Sequence, residues 1–274
     1  MRDKGKYKVV ASSVLTAICL FVSPAESDPI ISYNKGAVMY VLSDSGLVLR
    51  AAPDVKSSGI CVLKYGTAVR ITDDNPGRIS FVAGNYRGYW VKAETGGKEG
   101  YLFDGFISRH VAPSSCHDCS FNVIVEKYTD TAFTANRAPV IRKDEYHQYV
   151  TKAYTNGCLL EKKEGLPGLP HFSLTLDMKR TRLPEAFLLF RLMGLELMKG
   201  QLLPGKNYIG ERKMKGLTYK ESVTVTLHNN EIQRILITES SKGEYGMGDG
   251  MEQESIEFTK TSDGTMVKYD ASGS

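Results

Sequence analysis

The chain has 274 residues, room for a targeting segment and two modest domains, and its 42% hydrophobic and 24% charged fractions exclude long disorder and low complexity. The 35 basic and 31 acidic residues give a formal charge of +4, but the first 25 residues hold four of the bases and one acid, leaving 31 against 30 beyond them. A near-neutral remainder excludes the strongly basic footprint of a nucleic-acid binder.

The first element is a targeting signal. Arg2, Lys4, Lys6 and Lys8 precede an apolar run from Val9 to Val22, and Ser23-Pro24-Ala25 places small residues before a cut after Ala25. Basic, apolar and small-residue regions in that order predict a secretory signal peptide over residues 1–25. The run is short for an uncleaved membrane anchor, so no stable membrane span is expected after cleavage. Thr16-Ala17-Ile18-Cys19 is a poor lipobox, because Ile18 stands where a small residue belongs.

From Ala37 onward the pattern is one of short strands between turns. Ala37 to Leu42 is apolar, Asp44-Ser45-Gly46 is a turn, and Leu47 and Leu49 alternate around Val48. Ile60 to Leu63 and Ala68 to Ile71 are further strands. Tyr89 to Glu94 and Tyr101 to Phe103 flank Thr95-Gly96-Gly97-Lys98, a hairpin signal. Close spacing of this kind predicts a small barrel or sandwich.

Several segments here resemble the bacterial SH3 (SH3b) domain family. Gly46-Leu47-Val48-Leu49-Arg50-Ala51-Ala52-Pro53 resembles its "G-L-N-L-R-x-x-P" opening, and Val62 to Val69 resembles its "L-K-K-G-T-x-V" segment. Trp90-Val91-Lys92-Ala93 with Gly97 to Leu102 resembles its "W-x-K-V…G-K-x-G-W-V" core, and Phe106-Ile107-Ser108 its closing "Y-L-S". The departures are the long stretch from Asp73 to Tyr89, where the family has a tight turn, and Cys61 at a slot that is usually small and plain. The resemblance covers about a quarter of the chain. It implies a small barrel that binds cell-wall peptides or envelope proteins.

His110 to Ser115 reads as a linker. Beyond it, Phe121 to Val125 reads as a strand. Asp144 heads either a helix carrying Tyr146, Tyr149, Val150, Ala153 and Tyr154, or a hairpin that turns at Asn156-Gly157. Phe172, Leu174 and Leu176 alternate like a strand, and Pro184 opens an apolar helix over Glu185 to Met193. The end of the chain reads as an antiparallel meander: Val223, Val225 and Leu227; Ile232 to Ile237; Ile256 and Phe258; Val267 and Tyr269. The helix at Pro184 is its expected cover.

Four cysteines remain after cleavage, Cys61, Cys116, Cys119 and Cys158, and an even number in an exported protein predicts disulfides. We expect Cys158 to pair with Cys116 or Cys119. Cys116-His117-Asp118-Cys119 also has redox spacing, but the thioredoxin-like βαβ context is missing. A zinc site there would need Cys158, His147 or His171 as further ligands. A Cys–His hydrolase built from Cys116 and His171 is the catalytic variant. No G-x-S-x-G or H-E-x-x-H occurs. The glycine-rich stretch Lys242 to Gly250 joins two strands, so the argument for a phosphate cradle at a helix N-terminus does not apply to it.

The aromatic set Tyr86, Tyr89, Trp90, Tyr101, Phe103 and Phe106 divides between filling the core and facing a ligand. Tyr86, Trp90, Tyr101 and Asp104 are the candidate ligand residues. The expectation is thus a mainly β protein: a signal over residues 1–25, an SH3b-type barrel over 37–109, and over 116–274 an α+β domain with an antiparallel meander and one or two helices. Its expected role is that of an exported, non-enzymatic binding protein of the periplasm or outer surface, needing no cofactor or metal. The alternative is a periplasmic thiol-redox or hydrolytic enzyme using the Cys116–Cys119 region.

Overall fold

The computed structural model describes residues 33–73, 79–83, 86–114, 120–165, 171–191, 206–214, 217–229, 231–243 and 252–272, which belong to one compact unit. The signal over residues 1–25 with Cys19, the pair Cys116 and Cys119, and most of the glycine-rich loop lie outside the described residues.

The first region is a sheet of eight strands: β1 (Val38–Val41), β2 (Leu47–Arg50), β3 (Gly59–Leu63), β4 (Ala68–Ile71), β5 (Ser80–Ala83), β6 (Tyr86–Thr95), β7 (Lys98–Phe103) and β8 (Ile107–Ser108). The spatial order is β3-β2-β7-β6-β4-β1-β8, with β5 paired to β6. The two ends of this path, β3 and β8, are not hydrogen-bonded to each other, so the SH3b-type sheet is not a closed barrel. The turn between β6 and β7 is the one the Gly96-Gly97 pair announces, with φ of 54° and 75°, values that cost glycine little. β5 occupies the long stretch that departs from the family pattern.

The second region is a nine-stranded antiparallel sheet in the order β13-β14-β15-β16-β17-β12-β11-β10-β9. The strands are β9 (Val140–Lys143), β10 (His147–Ala153), β11 (Leu159–Gly165), β12 (His171–Lys179), β13 (Tyr208–Met214), β14 (Leu217–His228), β15 (Glu231–Gly243), β16 (Glu252–Lys260) and β17 (Gly264–Ser272). The meander expected at the chain end is present as β14 to β17. The hairpin reading of Asn156-Gly157 holds, with Gly157 at φ 85°, and the helix alternative beginning at Asp144 is corrected. Asp144 instead accepts the backbone N–H groups of Tyr146 (2.8 Å) and His147 (2.7 Å), closing the β9–β10 turn.

Two helices cover one face, α1 (Phe121–Ala132) and α2 (Leu183–Arg191). The strand expected at Phe121 to Val125 is corrected to α1. Phe121, Ile124, Val125 and Tyr128 are buried at helical spacing, and that period outweighs the local β-branched propensity. α2 is buried on all sides from Glu185 to Arg191, its two charged residues included. Phe187 packs edge-on to Phe258 of β16 at 5.5 Å, and Phe190 meets Phe121 and Tyr128 of α1 at 5.8 and 5.7 Å, so the helix covers the meander as expected. Among the described residues, no helix is long and apolar enough to cross a membrane.

The small sheet has a core of its own, with Met39, Val41, Leu49, Val69, Ile71, Val91, Ala93 and Leu102 among its members. The opposite faces of β6 and β7 present Tyr86, Trp90 and Phe103, which are continuous with the helix-covered core of the second region. The segment expected to be a linker is fastened. Val111 C=O accepts the Tyr128 hydroxyl (2.7 Å), Pro113 C=O accepts the Tyr65 hydroxyl (3.0 Å), and the buried ring of His110 reaches Thr181 Oγ1 (2.9 Å).

Candidate functional site

The aromatic face of the small sheet lines a cavity of about 440 Å³. Its floor comes from three places in the chain. Phe81 and Ala83 come from β5, Tyr86 and Trp90 from β6, and Phe103 and Phe106 from the end of β7 and the short 3-10 turn that follows. The rings contact one another closely: Phe81 lies 5.6 Å from Trp90 and 5.3 Å edge-on from Phe103, while Phe106 lies 5.0 Å from Tyr86 and 5.4 Å from Phe103. Edge-to-face contact of this kind holds the rings against one another and leaves their outer surfaces as a fixed apolar wall.

The rest of the lining is Ser43, Ser45 and Gly46 of the β1–β2 turn, Val48 and Arg50 of β2, and Val55 of the loop that follows. This turn is locally determined. Ser43 Oγ donates to Gly46 C=O (2.8 Å), and Gly46 sits at φ 89°, where a Cβ would also press on Val62 at 2.8 Å. It is also tied to the second region, because Arg191 of α2 reaches Asp44 Oδ1 at 2.6 Å. Arg50 donates to Ser57 C=O at 2.7 Å, which ties the base of the loop after β2. Burial pushes the Tyr86 hydroxyl well above its ordinary range, opposed by Arg191 and reinforced by Asp44, so it stays a neutral phenol.

Of the four expected ligand residues, Tyr86 and Trp90 line this cavity, while Tyr101 and Asp104 do not. Tyr101 is half-buried opposite Arg50 and Lys92. Asp104 is buried and used internally: its carboxylate accepts the Tyr33 hydroxyl (3.1 Å) and the Tyr89 N–H (2.7 Å), and Arg182 lies 3.6 Å away. Gly88 is required beside it, because a Cβ there would collide with Asp104 Oδ1 and the Phe103 ring. The seam continues through Ser108, which donates to Glu185 of α2 at 2.5 Å.

Sequence reasoning passed over Phe81, Val48, Val55 and Arg50. A signal for Phe81 was available. Ser80 to Ala83 is a short apolar run followed by Gly84-Asn85, a two-residue hairpin signature.

The cysteine expectations meet two free thiols. Among the described residues Cys61 and Cys158 are free thiols, and the partners expected for Cys158, Cys116 and Cys119, lie outside the described residues. Burial raises the Cys158 thiol to about 11, so it is protonated and unreactive at neutral pH. The zinc site considered around Cys116 and Cys119 lies outside the described residues, and of its candidate further ligands Cys158 stands far from His171. Leu159, next to Cys158, pairs with Asp177, six residues along β12 from His171, a separation of roughly 20 Å. Among the described residues no group of three or more His, Cys, Asp or Glu side chains converges to hold a metal.

The arrangement is suited to holding something, by apolar contact over aromatic faces with a hydroxyl and guanidinium rim. Comparison with known proteins agrees with that class. The family described as Bacterial SH3 domain matches residues 45–108, and this segment of the chain is a bacterial SH3 domain. The match stops where β8 ends, so it takes in most of the small sheet and none of the nine-stranded one. Neither curated proteins nor solved structures gave a match.

Proposed function

We propose that the chain is an exported, non-enzymatic binding protein of the cell envelope, whose SH3 segment receives a cell-wall peptide or a segment of an envelope protein in the aromatic cavity. The observation that carries this is the wall of Phe81, Tyr86, Trp90, Phe103 and Phe106 lining, with the polar β1–β2 turn, a cavity of about 440 Å³. A concave apolar site with a few polar groups at its edge is the usual form of a ligand pocket. The size suits one or two residues of an extended peptide, with its amide groups turned to Ser43, Ser45 and Arg50. The second region then serves as the scaffold that fixes the rim through Arg191 and Asp44.

Trp90 is the single tryptophan of the chain and lines the cavity, so its emission reports occupancy directly. Titration with soluble fragments of purified cell wall, and separately with peptides from envelope proteins, is expected to change that emission saturably. Phe81→Ala should weaken the response at least tenfold while the far-ultraviolet circular dichroism is kept. No saturable change with either ligand class, or an unchanged affinity in Phe81→Ala, overturns the proposal.

A further inference from the structure

The face of the large sheet turned away from its helices carries an unusual pair. Leu174 and Leu176 of β12 are buried on the helix-covered side, so strand alternation puts His171 on the other side. His147 of β10 pairs with Gly165 of β11, while Gln148 pairs with Glu164 and Glu164 with Phe172, which places His147 on that same outer face. The two histidines therefore sit on strands two apart, with backbones about 9–10 Å from each other. Their ring centroids are nevertheless 6.1 Å apart, with the ring planes at 87°. The rings approach each other across Gly165, the one residue type that puts no side chain between them.

Two further observations set the chemistry. His147 Nδ1 lies 3.6 Å from Asp144 Oδ1. That carboxylate is itself held by two backbone N–H groups and by the Tyr149 hydroxyl (2.9 Å). The contact is longer than a hydrogen bond, but a carboxylate on that side favours the tautomer with its proton on Nδ1 and the lone pair on Nε2. On the other ring, His171 Nδ1 is shielded from solvent and has no hydrogen-bond partner in the protein. A buried ring nitrogen in that condition lacks the partner that such groups ordinarily find.

We propose that His147 and His171 form a two-imidazole site for a borderline divalent transition ion such as Zn²⁺ or Cu²⁺, with Asp144 as the positioning residue for His147. Two imidazoles bound to one ion at about 2.0–2.1 Å place their ring centres roughly 5 Å apart at a tetrahedral angle, so the 6.1 Å separation here needs an approach of about 1 Å on binding, within reach of side-chain rotation. Imidazole nitrogen selects this group of ions over Mg²⁺ and Ca²⁺, which take oxygen ligands. Water completes the shell, which leaves coordination positions for a donor from a partner molecule. The site is on the second region and does not rest on the reading of the aromatic cavity.

The test uses the full chain, stripped with a chelator and titrated with ZnCl₂ by calorimetry. One equivalent is expected to be lost, or weakened at least tenfold, in both His147→Asn and His171→Asn, with circular dichroism confirming that the variants fold. Asp144→Asn should weaken binding by about tenfold, the usual effect of removing a group that orients a metal-bound histidine. A zinc affinity unchanged in either histidine variant refers the binding to the thiols and sinks the proposal. Wild-type protein gives a second readout that needs no variant. Diethylpyrocarbonate modification of His147 and His171, mapped by peptide mass, should fall at least fivefold when ZnCl₂ is present. Equal modification with and without zinc also overturns the site.

Discussion

In the small sheet, β6 buries both of its faces: Val91 and Ala93 enter the sheet's own core, and Tyr86 and Trp90 enter the aromatic face. In the large sheet, β16 buries one face only, with Ile256 and Phe258 under the helices and Ser255, Glu257 and Thr259 turned outward. The difference follows from size. The large sheet has two helices to bury its apolar side. The small one has no helix, so its second apolar face is completed by neighbouring turns and by the second region. The aromatic cavity itself is lined only by residues of the first region, and the second region reaches its rim through the contact of Arg191 with Asp44. The shared core predicts that the two regions unfold together.

The largest effect should come from the core that both regions share. Phe258→Ala removes a fully buried ring packed on Phe187 and is expected to cost about 3–5 kcal/mol. Trp90 emission, which reports the small sheet, and far-ultraviolet circular dichroism, which reports mainly the large one, should shift to the same lower denaturation midpoint. Two separated midpoints would show that the regions are independent, and the comparison above would fail.

The seam between them should be nearly as costly to cut. Asp104→Ala removes the carboxylate beside the largely buried Arg182, leaving its hydrogen bond to the residue-104 carbonyl, and removes the acceptor for the Tyr89 N–H. A loss of about 3–5 kcal/mol is expected, as for other broken buried ion pairs. A double variant with Arg182→Met should recover part of it, and an absence of recovery in a thermal melt would show that the pair is not coupled.

Acid should loosen the same seam. Burial lowers the His110 pKa in the folded state, with Glu185 opposing and Arg109 reinforcing. In the unfolded chain the imidazole regains its ordinary value near 6.5, so the unfolded state binds the extra proton first. Stability from this group is therefore complete above about pH 6.5 and declines as pH falls toward the folded pKa. His110→Gln should reduce the difference in melting temperature between pH 7.5 and 5.5. An identical pH difference in the variant would remove His110 as the cause.

The smallest effect belongs to an exposed cross-strand ion pair between β4 and β6. Arg70 and Glu94 approach to 3.4 Å with about half of each side chain in water. Glu94→Ala should change stability by no more than about 0.5 kcal/mol and should lose even that in high salt. A larger change in a urea melt would mean that the β4–β6 pairing holds the small sheet together more than its core does.

What could be read from the sequence alone is what short-range chemistry determines. The Gly96-Gly97 hairpin, the Asn156-Gly157 turn, the alternation of Ile256 with Phe258 and the apolar helix after Pro184 each depend on a few adjacent residues and their own backbone preferences. The SH3 segment was legible for the same reason, since its motifs are local. That Tyr86 and Trp90 share one face of β6 was legible too, because strand alternation is local, and that face lines the aromatic cavity. The tertiary structure decided what depends on residues far apart in the chain. Phe121 to Val125 has β-branched residues that favour a strand, yet the places waiting for its side chains beside Phe190 and Tyr269 lie on a helical spacing. Asp104 looked available until Tyr33, 71 residues away, and Arg182 claimed its oxygens. His147 and His171 looked like separate residues until the register of three strands put Gly165 between them. In each case the deciding energy is burial or pairing with a distant partner, and no local pattern carries the address of that partner.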